Sequence, residues 1–432
     1  MIVSIEPSKV AGSVQVPSSK SMGHRALICA GLANGMSTVS GITWSLDMEA
    51  TIGCLKGLGA KIERVDEQKE NGLDERSFCI TGCDPSKAGK GIVLDAYESG
   101  STLRFMIPIA ASGNEKVTFT GRGRLMERPM SVYEDLLGLE HINDTFVVQG
   151  PLRPGSYTVA GNVSSQFISG LLFALPLTEG NSSVTITGNY ESRSYVDLTI
   201  KALQDAGVVV HEEERVYRIE GNQHYQAGHF LVERDFSQAA FFAVLAALNH
   251  ELTLTGLDLK SAQGDKAILE FIKKAGAHVL EEKDRITIGP DQRLGQVIDL
   301  ANCPDLGPIL CVLAAYIPAT TRIIHAGRLR MKESDRIAAM EAELGKWGVD
   351  ISSDEDSITI HGKSSYRMDE VVRMDEVVRM EGHNDHRIVM ACTVFGLCAG
   401  SPCVIEGAQA VEKSYPGFFE DIRKIGGKVE IR

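Results

Sequence analysis

The chain has 432 residues, of which 43 % are hydrophobic and 23 % charged, so it is neither disordered nor fibrous and is long enough for two or three ordinary domains. Its formal net charge of −13 disfavours nonspecific binding to nucleic acid or to an acidic membrane surface. An anionic ligand must therefore be held by a local cluster of cations.

Six short strands in the sequence each run directly into a polar cluster that is typical of a helix start. In chain order these junctions lie at 14–21, 93–102, 157–166, 230–238, 297–305 and 380–387. An apolar or amphipathic stretch follows each junction, and its spacing favours a helix over a strand. The sequence therefore predicts six helices that begin at these places.

A second helical pattern ends, at intervals along the chain, in a glycine followed by a short β-branched run and another strand. The marker glycines are Gly59, Gly207, Gly276, Gly348 and Gly426, with a degenerate copy around Gly138. Each junction and the marker glycine after it define one unit. We therefore predict six units, each with the order strand, helix, strand, helix, strands.

The six units share a pattern but no consensus sequence, which favours a compact pseudo-symmetric α/β fold over an open solenoid. We expect two lobes of three units each. The first lobe comprises residues 16–228, and the second comprises 229–432 together with 1–15. The polar stretch at 222–230 marks the boundary between them.

Lysine and arginine side chains gather at or near the predicted helix starts. Because an exposed charge gains only about 0.3–1 kcal/mol from one helix dipole, such side chains decide whether a helix start binds an anion. The cations concerned are Lys20, Arg25, Arg104, Arg128, Lys332, Arg336, Arg387 and Lys413. Each alone is better explained as a solvated surface charge, but together they predict a cleft for a small, highly anionic substrate.

Two acids and a histidine accompany these cations. Asp305 is either a proton acceptor or an N-cap, and Glu333 is either a proton-transfer group or an exposed acid at a helix start. His386 either relays protons or only donates a hydrogen bond, and no third ligand joins His383 and His386 at a metal site. Phosphate-loop and dinucleotide-binding glycine motifs are missing, so neither ATP nor a dinucleotide is implied.

The sequence predicts a cytoplasmic protein. Its nine cysteines are irregularly spaced, and its first 30 residues lack the layout of a secretion signal. The longest apolar runs, such as 309–317, are too short to cross a bilayer. The tandem R-M-D-E-V-V at 367–378 is interpreted as a local duplication that lengthens a strand or loop, or as a charged hairpin, without a function.

An ordered series of motifs along essentially the whole chain resembles the 3-phosphoshikimate 1-carboxyvinyltransferase family, the enolpyruvyl transferases also known as EPSP synthases. The motifs are P-S-S-K-S-M-G-H-R-A-L (17–27), E-S-G-S-T-L-R (98–104), M-E-R-P (126–129), S-S-Q-F (164–167), E-S-R-S-Y-V-D (191–197), P-D (304–305), M-K-E-S-D-R (331–336), N-D-H-R (384–387) and K-S-Y-P (413–416).

The resemblance implies a two-lobed fold of six β-α-β-α-β-β repeats, with the active site in the cleft between the lobes. It implies that the free hydroxyl of shikimate 3-phosphate attacks C2 of phosphoenolpyruvate while C3 is protonated, and that the tetrahedral adduct then expels phosphate. It further implies a monomer that is a glyphosate target, with these two small-molecule substrates, without metal or organic cofactor, and without nucleic-acid or membrane partners.

The resemblance also implies roles for individual residues. Phosphoenolpyruvate is expected to contact Lys20, Gly100, Arg128, Gln166, Arg336, Arg387 and Lys413. Shikimate 3-phosphate is expected to contact Lys20, Ser21, Arg25, Ser164, Ser165, Gln166, Ser192, Asp305 and Lys332. Asp305 is expected to take the hydroxyl proton, whereas protonation at C3 is expected to involve Glu333 and Lys20, with Lys413 or His386.

Three residues depart from the family pattern. Glu98 and Arg328 each stand where the family usually has Asn, and Phe105 stands where Pro is common. Two other interpretations remain. One is the sister transferase acting on UDP-N-acetylglucosamine, but the chain lacks its reactive cysteine, having none between Cys83 and Cys303. The other is a catalytically silent anion-binding relative, which only Glu98 and Arg328 support.

Overall fold

The structure is a computed structural model that describes residues 1–65, 75–367 and 377–432. In chain order its strands are β1 Ile2–Glu6, β2 Gly12–Gln15, β3 Ala33–Asn34, β4 Met36–Thr43, β5 Lys61–Val65, β6 Glu75–Thr81, β7 Ile92–Asp95, β8 Lys116–Thr120, β9 Glu140–Ile142, β10 Thr145–Gln149, β11 Ser156–Ala160, β12 Ser182–Thr187, β13 Val210–Glu213, β14 Val216–Ile219, β15 Tyr225–Gln226, β16 His229–Leu231, β17 Leu252–Thr255, β18 His278–Glu281, β19 Arg285–Gly289, β20 Val297–Asp299, β21 Thr320–Ile324, β22 Asp350–Ser353, β23 Ser357–His361, β24 Val378–Glu381, β25 Cys403–Glu406 and β26 Lys428–Ile431.

The α-helices are α1 Lys20–Leu32, α2 Leu46–Gly57, α3 Gly100–Ala111, α4 Ser131–Leu137, α5 Ser165–Ala174, α6 Arg193–Asp205, α7 Phe236–Leu248, α8 Ile268–Lys274, α9 Gly307–Ala315, α10 Arg336–Gly345, α11 His386–Cys398 and α12 Phe418–Lys424. Short 3₁₀ helices lie at Pro85–Lys87, Gly123–Glu127, Leu175–Leu177, Gly264–Ala267, Pro304–Leu306, Gly327–Met331 and Ala408–Lys413. None of the helices in the described parts of the chain combines the length and the apolar character that a membrane crossing needs.

The chain forms two compact units. The continuous unit comprises residues 18–233, and the split unit comprises residues 1–17 and 234–432. From the sequence, these boundaries are expected at 15/16 and 228/229. The second boundary lies later than expected because β16 pairs in parallel with β4 and so belongs to the continuous unit.

Six four-stranded sheets in the described residues share one pairing pattern. The first strand pairs in parallel with the second, and the second and fourth strands are both antiparallel to the third. In the continuous unit the orders are β7-β8-β10-β9, β11-β12-β14-β13 and β16-β4-β6-β5, and in the split unit they are β2-β17-β19-β18, β20-β21-β23-β22 and β24-β25-β1-β26. The predicted α/β class is confirmed.

At the two places where the chain passes from one unit to the other, the strand that precedes a helix does not pair in the same unit as that helix. β2 leads into α1 of the continuous unit but pairs with β17 of the split unit. β16 leads into α7 of the split unit but pairs with β4. At these crossings Ser19 N donates to Glu233 O at 2.7 Å, and Asp235 N donates to Pro17 O at 3.0 Å.

Helices begin at all six predicted junctions. Five of them, α1, α3, α5, α7 and α11, begin after a polar N-cap whose side chain accepts a backbone N–H bond. Those N-caps are Ser19, Ser99, Ser164, Asp235 and Asp385. The sixth helix, α9, follows the 3₁₀ turn Pro304–Leu306 without a side-chain cap. These six helices are buried along most of their length.

The six marker glycines end the second helix of each repeat. Their φ angles lie between +63° and +110°, in the left-handed region that glycine adopts without strain. They are Gly59, Gly138, Gly207, Gly276, Gly348 and Gly426, following α2, α4, α6, α8, α10 and α12. Each helix can therefore turn sharply back into the sheet.

Candidate active site

The start of α1 in the continuous unit presents a lysine and a buried arginine. The Lys20 ammonium donates to Asp47 Oδ2 at 2.8 Å. Arg25 is 2 % exposed and donates from Nε to Thr199 Oγ1 at 2.9 Å and from Nη2 to the Tyr195 carbonyl at 2.7 Å. Burial lowers the pKa of Arg25 to about 10, so its charge is held at neutral pH in a largely apolar setting.

Gly100, Arg104, Arg128 and Gln166 form a second group in this unit, named here the Arg128 cluster. A Cβ atom added to Gly100 would lie 2.5 Å from Arg128 Nη1 and 3.3 Å from Arg104 Nη1. Gln166 accepts from Arg104 Nη1 at 2.8 Å and donates to Ser101 at 2.8 Å. The first turn of α3 is thus held against two guanidinium groups, and a side chain at its start would require the Arg128 guanidinium to move.

The four predicted site serines lie at helix starts of the same unit. Ser164 caps α5, and Ser165 is its first residue. Ser21 is the second residue of α1, and its carbonyl accepts from Arg25 Nη1 at 2.7 Å. Ser192 precedes α6 with φ +53°, a left-handed conformation that costs a non-glycine residue free energy. Such strain is found most often where a side chain or amide must point at a ligand.

Asp305 is the centre of a cluster of charges in the split unit. Lys332 Nζ and Arg336 Nη1 donate to its Oδ1 at 3.2 and 3.1 Å, and Arg387 Nη2 donates to its Oδ2 at 3.4 Å. The Asp305 side chain retains 22 % exposure. We name Asp305, Lys332, Glu333, Arg336, Asp385 and Arg387 the Asp305 cluster.

Arg336 is deeply buried in the Asp305 cluster, with 1 % of its side chain exposed. It donates to Asp385 from Nε at 2.8 Å and from Nη2 at 3.2 Å, and to Glu333 Oε2 at 2.7 Å. Three carboxylates therefore surround one guanidinium, an arrangement that offsets the cost of burying its charge.

The start of α11 supplies the remaining predicted residues of the split unit. Arg387 donates to the Ser237 carbonyl at 2.8 Å and to its hydroxyl at 2.7 Å. His386 is 2 % exposed, and its Nδ1 lies 3.9 Å from Asp385. Lys413, which is 4 % exposed, donates to the Asn384 carbonyl at 2.7 Å and so holds the loop before α11.

The charges around Asp305 fix its protonation. Burial alone raises the pKa of a carboxyl, but Lys332, Arg387 and Arg336 together hold the pKa of Asp305 well below its usual range. Burial lowers the pKa of Lys332, with Arg336 and Arg328 acting in the same direction and Asp305 opposing them. The carboxylate is therefore ionised in the free protein.

The N-cap interpretation of Asp305 and the exposed-acid interpretation of Glu333 do not agree with these contacts. Asp305 lies inside the turn Pro304–Leu306 and caps no helix, because its carboxylate is directed to the three cations. Glu333 lies three residues before α10, is 17 % exposed, and bonds Arg336. Among the described residues no group of three or more His, Cys, Asp or Glu side chains is placed to hold a metal ion.

Two of the departures from the family pattern have defined surroundings. Phe105 is buried, packs against Phe173 at 5.5 Å between ring centroids, and lies 5.3 Å below the Arg25 guanidinium. Glu98 lies against Gly123, where an added Cβ would be 2.9 Å from its Oε2. Arg328 is half-buried on the turn before Lys332. Residues 368–376, most of the tandem repeat, lie outside the described residues.

The acids that hold the cations were not predicted from the sequence. Asp47 binds Lys20, and Asp385 binds Arg336. Asp385 has a local signal, since it occupies the N-cap position of a predicted helix, but its second role depends on a partner 49 residues away. Asp47 follows the N-cap Ser45 in a helix that the sequence analysis did not associate with the site.

The fold and these two sets of cations define an α/β protein of two units, in which lysine and arginine side chains lie at or near helix starts. Comparison with known proteins gives the family. The family model of EPSP synthase (3-phosphoshikimate 1-carboxyvinyltransferase) matches residues 5–422, and the chain belongs to that family.

Curated relatives and solved structures agree with this assignment. A 3-phosphoshikimate 1-carboxyvinyltransferase of Clostridium kluyveri is 43 % identical, covering 99 % of this chain and 98 % of its own. One from Clostridioides difficile is 37 % identical with 99 % and 98 % covered. The structure of an EPSP synthase from Acinetobacter baumannii superposes with a TM-score of 0.78 at 26 % identity, covering 99 % of each chain.

Proposed function

We propose that this enzyme transfers the enolpyruvyl group of phosphoenolpyruvate to shikimate 3-phosphate in the shikimate pathway, releasing phosphate. The observation that carries the proposal is the Asp305 carboxylate held between three cations, in a chain that matches the EPSP synthase family over nearly its full length. Both substrates carry a carboxylate and a phosphate, which explains why an acidic protein concentrates cations at its helix starts.

In the proposed addition step, the ring hydroxyl of shikimate 3-phosphate forms a bond to C2 of phosphoenolpyruvate, and the electron pair of the C2–C3 double bond takes a proton at C3. Asp305 accepts the hydroxyl proton, while Glu333 and Lys20, with Lys413 or His386, handle the proton at C3. In the elimination step the C2–O bond to phosphate breaks, a proton leaves C3, and the double bond forms again.

The basicity of Asp305 supports this order of events. In the free protein three cations hold its pKa low, which makes it a poor proton acceptor. Binding of substrate phosphate and carboxylate groups to Lys332, Arg336 and Arg387 neutralises those cations and raises the pKa of Asp305. The base is thus strengthened only when both substrates are present, which favours transfer over unproductive proton exchange.

In this proposal the predicted site residues bind the two substrates. Phosphoenolpyruvate is held by Lys20, Gly100, Arg128, Gln166, Arg336, Arg387 and Lys413. Shikimate 3-phosphate is held by Lys20, Ser21, Arg25, Ser164, Ser165, Gln166, Ser192, Asp305 and Lys332. We propose a cytoplasmic monomer.

A phosphate-release assay with both substrates tests the proposal. Wild type is expected to release phosphate only when shikimate 3-phosphate and phosphoenolpyruvate are both present, and Asp305→Asn is expected to be slower by about 10²–10⁴-fold, the usual contribution of a general base. Release with UDP-N-acetylglucosamine instead would identify the sister activity. If no phosphate is released with either acceptor, the protein is a catalytically silent anion-binding relative.

A further inference from the structure

His24, Thr51, Thr102 and Ser99 form a buried chain of hydrogen bonds that crosses three helices of the continuous unit. His24 Nδ1 lies 2.7 Å from Thr51 Oγ1, which lies 2.7 Å from Thr102 Oγ1. The Thr102 hydroxyl donates to Ser99 Oγ at 2.8 Å. None of the four residues is more than 1 % exposed, so water cannot substitute for a missing partner.

We name this chain of hydrogen bonds the relay. The donor and acceptor of each bond in the relay follow from counting the available hydrogens. A hydroxyl has one hydrogen to donate, and that of Thr102 is used on Ser99, so Thr51 must donate to Thr102. The hydrogen of Thr51 is then used as well, and its oxygen must accept from His24. The longer contact of 3.3 Å from Thr51 to the Asp47 carbonyl is secondary, because donation there would leave two hydroxyl oxygens 2.7 Å apart with no hydrogen between them.

His24 therefore carries its hydrogen on Nδ1, and its surroundings keep the ring neutral. Nε2 is buried and has no hydrogen-bond partner among the described residues, so it holds the lone pair. Burial, followed by the charges of Lys20 and Arg25, keeps the pKa of His24 well below its ordinary value. The edge-to-face contact with Phe105, 6.5 Å between centroids, fixes the ring plane.

The far end of the relay is the helix start that faces the Arg128 cluster. Ser99 is the N-cap of α3 and accepts both the Thr102 amide, at 3.2 Å, and the Thr102 hydroxyl. The next residue, Gly100, is the one whose added Cβ would lie 2.5 Å from Arg128 Nη1 and 3.7 Å from Gln166 Oε1. A shift of a few tenths of an ångström in this turn changes how its amides face an anion.

The near end of the relay aligns α1 with α2. Lys20 bonds Asp47, and His24 bonds Thr51, so two contacts four residues apart on both helices join the same faces. The imidazole thus sets the position of α2, from which the relay continues to α3.

We propose that His24 is a positioning residue for phosphoenolpyruvate binding, which as a fixed Nδ1–H donor orders Thr51, Thr102 and Ser99 and thereby holds the first turn of α3 against Arg128 and Gln166. The inference rests on the proposed function, because phosphoenolpyruvate as the ligand of that turn is itself proposed. His24 touches no substrate in this scheme.

Substitutions that keep or remove the donor test the inference. His24→Asn places an amide N–H close to the position of Nδ1, whereas His24→Leu retains volume and removes the donor. We expect His24→Leu to raise KM for phosphoenolpyruvate about tenfold, the effect of one lost buried hydrogen bond, with KM for shikimate 3-phosphate within about twofold of wild type. For His24→Asn, the KM values for both substrates should stay within about threefold of wild type.

The second link of the relay provides a matched pair of variants. Thr102→Val is isosteric with threonine and breaks the relay, whereas Thr102→Ser keeps the hydroxyl. The first should reproduce the selective rise in KM of His24→Leu, and the second should not. A purely structural role would instead lower the melting temperature and change both KM values together, and that result would overturn the inference.

The tautomer can be measured without any substitution. In wild type labelled with ¹⁵N-histidine, His24 is expected to be neutral at pH 7 with its proton on Nδ1. A proton on Nε2, or a charged ring, overturns the inference. A wild type that releases no phosphate overturns the proposed function and this inference with it, whereas an active wild type in which His24→Leu and His24→Asn behave alike overturns the inference alone.

Discussion

Arg336 and Asp385 are joined by two hydrogen bonds inside the split unit, from Nε to Oδ2 at 2.8 Å and from Nη2 to Oδ1 at 3.2 Å. Both side chains are at most 1 % exposed. Asp385 also accepts from Ser334 Oγ at 3.0 Å and from the Arg387 amide at 2.9 Å. One carboxylate therefore sets the orientation of a guanidinium, the start of a helix and the loop before α10.

Asp385→Asn is expected to lower the free energy of unfolding by roughly 3–5 kcal/mol, because it leaves part of a buried positive charge uncompensated. Denaturant unfolding of the free enzyme measures this. Asp335→Asn is the matched control, since Asp335 caps α10 but has a more exposed side chain and asparagine also caps helices, so it should cost less than about 1 kcal/mol. Equal losses in the two variants would contradict the central role of Asp385.

Gly100→Ala is expected to raise KM for phosphoenolpyruvate with little change in the affinity for shikimate 3-phosphate. The added methyl group would lie 2.5 Å from Arg128 Nη1, so the guanidinium must move away from the first turn of α3. Because the end of a flexible side chain can move at little cost in free energy, the melting temperature should change little. Gly53→Ala in α2, where nothing lies within 4 Å of the added atom, is the control and should leave both KM values unchanged.

Asp305→Asn is expected to bind inorganic phosphate more tightly than wild type while losing activity. In wild type the carboxylate neutralises part of the charge of Lys332, Arg336 and Arg387. Its removal leaves those cations facing one another, so an added anion gains more by binding among them. Melting temperatures with increasing phosphate measure this, and a smaller rise in the variant than in wild type would show that these cations are not a phosphate site.

Acidification should remove the contribution of ionised Asp305 to the free energy of unfolding. A carboxyl whose folded-state pKa is lowered stabilises the fold at pH values above its unfolded pKa of about 3.9, and that stabilisation is lost as the pH falls through the lowered folded value. Wild type should therefore lose more stability than Asp305→Asn as the pH falls from about 5 to below 3. Unfolding free energies across this range give the comparison, and parallel curves would exclude a strongly lowered pKa.

Alkaline pH should weaken the binding of shikimate 3-phosphate through Lys332. Burial lowers the pKa of this ammonium, so it loses its charge at a lower pH than an ordinary lysine, and the anionic ligand must then supply the free energy to protonate it. Lys332→Arg keeps the charge because a guanidinium stays protonated. The pH at which affinity falls should move upward in this variant, as titration calorimetry between about pH 7 and 10 would measure.

Local signals accounted for most of what could be predicted. Helix starts and left-handed glycines are encoded in a few consecutive residues, so all six junctions and all six marker glycines were found from sequence patterns. The pairing of β16 with β4, about 190 residues apart, has no such signal, and the second unit boundary was therefore misplaced by five residues.

The partners of the site residues could not be predicted for the same reason. The sequence places a cation at each helix start but does not indicate that Arg336 meets three carboxylates from three segments. Likewise, His24 lies within the first recognised motif, yet its link to Thr102 passes through Thr51 of α2. Such contacts depend on packing between elements that are distant in the chain.

The exchange of strands at the two crossings affects the order in which the two units can fold while the chain is being synthesised. The continuous unit has every strand of its sheets once residue 233 has emerged. In the split unit, β1 pairs Ile5 with Cys403 and Val3 with Ile431, so β1 must wait for two strands that are made about 400 residues later. Translation therefore produces a complete continuous unit while β1 is still an unpaired strand, open to chaperones until β25 and β26 have emerged.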